Sequence, residues 1–127
     1  MTARADYEAS ICQRLGQAEH VKFRAVSLPG GRPKVADCHC NVNIWVKENP
    51  GTTVVRGWVT RVDFGLCVEL AAHSVVRGPD GKLFDITQLE NENEGYRTAM
   101  LFVPHLGDEQ LFFEMEKLAN TIRCPKG

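Results

Sequence analysis

The strongest constraint on what this chain can fold into is a turn. In Arg77-Gly78-Pro79-Asp80-Gly81, proline presets its own φ, aspartate bonds its local backbone and glycine accepts the tight geometry, so the chain reverses there. Gly65 to Val76 and Lys82 to Ile86 flank it and read as strands, with Thr53 to Val62 a third, which predicts an antiparallel meander. The hairpin carries His73 on one strand and Asp85 on the next. His73 lies six residues before Pro79 and Asp85 five after Asp80, so the two are near-opposite, with a bulge taking up the remaining offset. Side chains on one face of neighbouring strands come within ~5 Å.

Outside the meander the signals are mixed. Ile11, Leu15 and Ala18 recur at helical spacing, with Cys12 beside them, predicting an amphipathic helix from Asp6 to Glu19. Val21 to Leu28 alternates as a short strand before the Pro29-Gly-Gly-Arg-Pro33 loop. Cys38 to Lys47 supports two readings. Cys38, Cys40, Val42, Ile44 and Val46 alternate as in a strand, whereas Asp37 as a cap, a shared face of Cys38, Val42 and Trp45, and the Asn49-Pro50-Gly51 stop suit a helix. Glu90 to Tyr96 is polar and reads as a loop, and Met100 to Val103 as a strand. Leu111, Met115, Leu118 and Ile122 predict a core helix from Glu109 to about Ile122. The expectation is one α+β domain over residues 1–127, an antiparallel β-sheet flanked by helices.

Composition narrows the function classes. The chain has 127 residues, 43% hydrophobic and 24% charged, enough for one buried core. Its 15 basic and 16 acidic residues are interspersed, for a net charge of -1, which leaves no basic face for nucleic acid. No apolar run approaches the ~20 residues that span a bilayer, and the first residues lack a signal peptide's apolar core, so the cytosol is expected and a membrane is not. The five cysteines lack a repeated CxxC spacing, which predicts reduced thiols rather than a disulfide framework.

Cys38, His73 and Asp85 together would make a thiol catalytic site. A helix N-terminus and a neighbouring imidazole lower a thiol pKa from ~8.5 into the range ~3.5 to 7.5. His73 would act as base toward the thiol and acid toward the leaving group, with Asp85 fixing its tautomer. The plainer reading is a satisfied strand histidine and an aspartate beside a turn. A Cys/His metal site built from Cys38, His39, Cys40, His73 and Asp85 is a rival, although Cys-His-Cys lacks the second close pair of a closed zinc site. A non-catalytic binding or interaction module is another. Glu69, four residues from His73 on the same strand face, is a substrate-binding candidate or a solvated carboxylate. Cys40 reads as a packing residue or a resolving thiol, and His105 as a loop histidine.

His73-Ser-Val-Val, Asp80-Gly81 and Phe84-Asp85-Ile86-Thr87 together resemble the transglutaminase-like pattern of a histidine strand turning into an aspartate strand. Cys38 precedes them in the order cysteine, histidine, aspartate that papain-like and transglutaminase-like enzymes use. Cys38-His39-Cys40-Asn41-Val42 and Gly57-Trp58 are also similar to segments of small uncharacterised bacterial proteins of this superfamily, and the likeness covers roughly residues 36 to 90. It implies a papain/transglutaminase-like core with Cys38 opening a helix as nucleophile, His73 as base and Asp85 as orienting carboxylate. The implied activity is that of a peptidase, deamidase or transglutaminase-like enzyme working through a Cys38 thioester on a peptide or protein amide, with no cofactor. Two departures stand out: Ser74 and Val75 follow the histidine where an aromatic residue is common, and no glutamine precedes Cys38 in an oxyanion position. Oxyanion stabilisation then falls to the Cys38 backbone N–H with Asn41 or the Trp58 indole, although Trp58, like Trp45, reads first as a core or pocket-wall residue.

Overall fold

The computed structural model describes residues 3–34, 37–88 and 100–126. The fold is mixed α+β. In chain order its elements are α1 (Ala3–Gln13), a 3-10 turn at Leu15–Gln17, β1 (Glu19–His20), β2 (Lys22–Phe23), α2 (Cys38–Glu48), β3 (Thr53–Asp63), β4 (Cys67–Arg77), β5 (Leu83–Asp85), β6 (Leu101–Pro104), α3 (Glu109–Leu118) and β7 (Thr121–Pro125). The loop expected over Glu90 to Tyr96 lies outside the described residues. None of the described helices is long and apolar enough to cross a membrane.

The chain forms two compact units, and β3 and β4 each contribute residues to both. The first holds residues 3–19, 56–72 and 101–126. In it β6 pairs antiparallel with β3, and β4 pairs antiparallel with β7 from Cys67↔Pro125 to Ala71↔Thr121. Its core gathers Ile11, Trp58, Leu70, Val103, Phe112, Met115 and Ile122. Gly57 precedes that buried tryptophan because a Cβ there would run into the Val103 carbonyl oxygen and the Phe102 ring. Arg4 ties the end of α3 to the start of β7: its guanidinium donates to the Met115 carbonyl at 2.7 Å, which also accepts the Ala119 N–H, and to the Thr121 carbonyl at 2.9 Å.

Several expectations change here. The first helix stops at Gln13, so Leu15 lies in a 3-10 turn, while Leu15 and Ala18 still pack against the core. The last helix stops at Leu118, which is exposed, because Ala119 takes extended backbone; Ile122 is buried from β7 instead. Cys12 and Cys124 are joined in a disulfide, correcting the expectation of wholly reduced thiols and removing the cysteine argument for the cytosol.

The second unit holds residues 20–34, 37–55, 73–88 and 100. β4 and β5 form the predicted antiparallel hairpin across Pro79-Asp80-Gly81, with Val76↔Phe84 and Arg77↔Leu83 in register. β2 adds to β5 in parallel, so the pairing is mixed rather than purely antiparallel, and the strand foreseen over Val21 to Leu28 is confined to the short β2. The helical reading of Cys38 to Lys47 holds. Asn41, Val42 and Trp45 are buried on one side of α2 while Cys40 and Ile44 are exposed, and Val42 and Trp45 pack with Val76 and Ile86. Trp45 meets the Phe84 ring edge-on at 5.5 Å between centroids, a favourable aromatic geometry.

Candidate active site

The second unit brings Cys38, His73 and Asp85 together. Asp37 stands at the N-cap position of α2 and its carbonyl accepts from the Asn41 N–H at 3.0 Å, but its carboxylate makes no capping bond, contrary to the role expected of it. Cys38 is therefore the first helical residue, half-buried, at the end where backbone N–H groups lack intrahelical partners.

His73 and Asp85 are both buried, and the His73 Nε2–H donates to Asp85 Oδ2 at 2.6 Å. The other carboxylate oxygen accepts the Thr87 backbone N–H at 2.9 Å, so both oxygens are held. With Nε2 committed to the carboxylate, the ring's Nδ1 edge is left for the sulfur, and the Cys38 thiol bonds the imidazoles of His73 and His39. No bulge is needed: extending the hairpin register by one pair sets Asp85 opposite Val75, so His73 and Asp85 share a face as diagonal neighbours.

The charges follow from these contacts. Burial alone would push the Cys38 thiol up, but the hydrogen bonds and charges of His39 and His73 outweigh it and bring the pKa down to about 6. Burial alone would push His73 down, but the Asp85 carboxylate and the Cys38 sulfur raise it to about 10. At neutral pH the pair is a thiolate beside an imidazolium. Cys40, two residues on and exposed, moves the other way, raised by its bond to the Asp37 carboxylate.

The three remaining candidates have other engagements. Asn41 is buried and brackets Lys34: its Oδ1 accepts from the Lys34 N–H at 3.1 Å, and its Nδ2 donates to the Lys34 carbonyl at 2.7 Å and to Thr87 Oγ1 at 3.1 Å. That ties the chain before α2 to the residue whose N–H holds Asp85, so Asn41 is a structural clamp rather than an oxyanion donor. The Trp58 indole N–H donates to the Tyr7 hydroxyl at 2.9 Å inside the first unit's core, so Trp58 is the core residue of its plainer reading and its N–H is already engaged. Glu69 accepts from Arg123 Nε at 3.3 Å, the residue facing it across the β4/β7 ladder. Of the oxyanion donors considered, the Cys38 backbone N–H remains. His105 bridges the Tyr7 hydroxyl at 2.8 Å and the Asp108 carbonyl at 2.8 Å, a more engaged role than a loop histidine.

His39 was considered only as a donor of the rival metal site, and Ser74 only as a departure from the family pattern. His39 Nδ1 lies 3.6 Å from Cys38 Sγ and 2.5 Å from Ser74 Oγ. The only sequence hint was adjacency, a histidine directly after the cysteine and a serine directly after the histidine. Among the described residues, no group of three His, Cys, Asp or Glu side chains is arranged to hold a metal ion. The same unit carries a cavity of about 500 Å³ lined by Phe23, Val26, Arg32, Pro33, Ile86 and Gln88, which reaches Ile86, next to Asp85. No protein-family model, curated protein or solved structure matches the chain.

Proposed function

We propose that this protein is a cysteine-dependent acyl transferase or amidohydrolase with Cys38 as nucleophile, His73 as base and acid, and Asp85 as the orienting carboxylate. The observation that carries the reading is the Cys38 thiol at a helix start, lowered to about 6 and bonded to a histidine whose far nitrogen is fixed by a buried aspartate. A satisfied strand histidine does not require a thiol at its other edge. In the reaction, the Cys38 thiolate adds to an amide carbonyl, and the C–N electron pair leaves with the amine, which takes its proton from the His73 imidazolium. The resulting thioester passes its acyl group to water or to a second amine, and His73 accepts the incoming nucleophile's proton. The amide of a peptide or protein is the proposed substrate, and a papain/transglutaminase-like core is the proposed kinship, supported by the order and context of Cys38, His73 and Asp85.

The test is covalent. Parent, Cys38→Ser and His73→Ala proteins are treated with an activated acyl ester and with iodoacetamide at pH 7, and peptide mass spectrometry locates the adducts. Acylation and fast alkylation confined to Cys38, and lost without His73, support the reading. A Cys38 no faster than Cys40 and Cys67, or indifferent to His73, sinks it.

A further inference from the structure

We propose that His39 is a second imidazole working on the Cys38 sulfur, its Nδ1–H shared between Ser74 Oγ, which anchors the ring, and the thiolate, so that the nucleophile operates between two histidines. The proposal rests on Cys38 being the nucleophile and adds a residue and a division of labour that the Cys-His-Asp arrangement does not contain.

The geometry carries it. Consecutive residues on a helix point in different directions, so a side chain at position 39 does not meet one at position 38 by helical geometry alone. Here it does, with Nδ1 at 3.6 Å from the sulfur, and the same nitrogen lies 2.5 Å from Ser74 Oγ. Ser74 is fully buried on β4 and follows His73 directly, so one dipeptide supplies both the base and the group that aims the second imidazole. A ring held in this way is aimed at the sulfur by tertiary contact.

The two histidines then divide the work by position. His73, paired with Asp85, carries and returns the proton of the reaction. His39, held beside the Ser74 hydroxyl, gives its Nδ1–H to the negative charge on sulfur, while the proton of the reaction stays with His73. When an acyl group occupies the sulfur, that atom becomes a poor acceptor and the Nδ1–H turns to Ser74 Oγ. When the thioester breaks, the C–S electron pair returns to sulfur and the donor is in place to receive it. His39 thus assists both formation of the thiolate and its departure as leaving group.

The experiment measures iodoacetamide modification of Cys38 against pH in the parent, His39→Ala, His39→Asn, His39→Gln, Ser74→Ala and His73→Ala, with circular dichroism to confirm folding. The asparagine amide nitrogen falls where Nδ1 was, whereas the glutamine amide reaches toward the Nε2 position. His39→Ala is expected to move the profile up by about one pH unit, a roughly tenfold slower reaction below the midpoint. His39→Asn recovers most of that loss and His39→Gln does not, while Ser74→Ala shifts the profile in the same direction by less. A His39→Ala profile that coincides with the parent's overturns the proposal, as does equal behaviour of the Asn and Gln variants; this second comparison still decides the matter if the alanine variant fails to fold. Acylation by the activated ester separates the two readings. A shifted profile without any acyl-Cys38 keeps His39 and sinks acyl transfer, whereas acylation with an unshifted profile does the reverse.

Discussion

His73 and Asp85 meet diagonally, not face to face: Asp85 falls opposite Val75 in the hairpin register, and the length of the imidazole closes the gap to a 2.6 Å hydrogen bond. The diagonal matters because it presents Nε2 to the carboxylate and leaves Nδ1 for the thiol. An opposed pair would place the two side chains closer together, with less room for a ring between the carboxylate and the sulfur.

Asp85→Asn tests that arrangement with little change of volume. Oδ1 accepts the Thr87 N–H, so an asparagine that keeps this bond turns its NH₂ toward His73 Nε2. The imidazole must then accept at Nε2 and carry its proton on Nδ1, the tautomer that cannot take a proton from the thiol. Alkylation and acylation of Cys38 at pH 7 should fall by about 10²- to 10⁴-fold, as expected for the wrong tautomer in a triad. A rate within a factor of about three of the parent would show that Asp85 does not set the tautomer.

Stability against pH gives a second test, because the two shifts oppose one another. His73, raised from 6.5 to about 10, contributes stability that is complete below 6.5 and lost as pH rises through about 10. Cys38, lowered from 9.0 to about 6, contributes stability that is present above 9.0 and lost as pH falls through about 6. Between 6.5 and 9.0 the folded pair is thiolate and imidazolium and the unfolded pair is thiol and neutral imidazole, so each holds one proton and the slopes cancel. In Cys38→Ser only the His73 contribution survives, and stability should decline as pH is raised across that window. Urea midpoints at pH 7 and pH 9 check this; parallel changes in parent and variant would rule out the ion pair.

The meander and the meeting of His73 with Asp85 were legible because they rest on local signals: a turn with a defined chemistry, and strands on either side of it. α2 was ambiguous because alternation and helical spacing coexist in Cys38 to Lys47. Burial of Asn41, Val42 and Trp45 decided it, and that depends on Val76 and Ile86 from distant parts of the chain. β7 was invisible for a related reason. It has few residues of its own, and its pairing with β4 joins positions as far apart as Cys67 and Pro125. The hydrogen-bond partners of Asn41 and Trp58 were not legible, because resemblance to a site pattern carries no information about which partners their N–H groups find. The disulfide links residues 112 apart, beyond the reach of a local spacing rule.

That disulfide yields a third prediction. It fastens α1 to the last strand, and Cys124 is buried in the first unit's core. Cross-linking so long a loop restricts the unfolded chain, and losing such a bond typically costs ~2–5 kcal/mol. Non-reducing peptide mapping should find Cys12 and Cys124 in one disulfide-linked pair, and a Cys12→Ser/Cys124→Ser protein should unfold at lower urea than the parent. Dithiothreitol should lower the parent's midpoint while leaving the double variant's unchanged. A parent indifferent to dithiothreitol, with free thiol found at Cys12, would remove the cross-link.

Asn41 separates a structural clamp from a catalytic donor. Its three hydrogen bonds go to Lys34 and Thr87, and Thr87 in turn supplies the N–H that holds Asp85 Oδ1. Truncation in Asn41→Ala leaves these partners short of a bond, at about 1–3 kcal/mol for each buried group left unsatisfied. The variant should therefore unfold at lower urea but, where folded, alkylate Cys38 at close to the parent's rate and accumulate acyl-enzyme nearly as fast. An oxyanion donor would behave in the opposite way: alkylation, which develops no oxyanion, would be untouched, whereas acylation would fall by about 10²- to 10³-fold at little cost in stability. Measuring urea midpoint, alkylation and acylation on the same preparation distinguishes the two, and a selective loss of acylation would return Asn41 to the catalytic machinery.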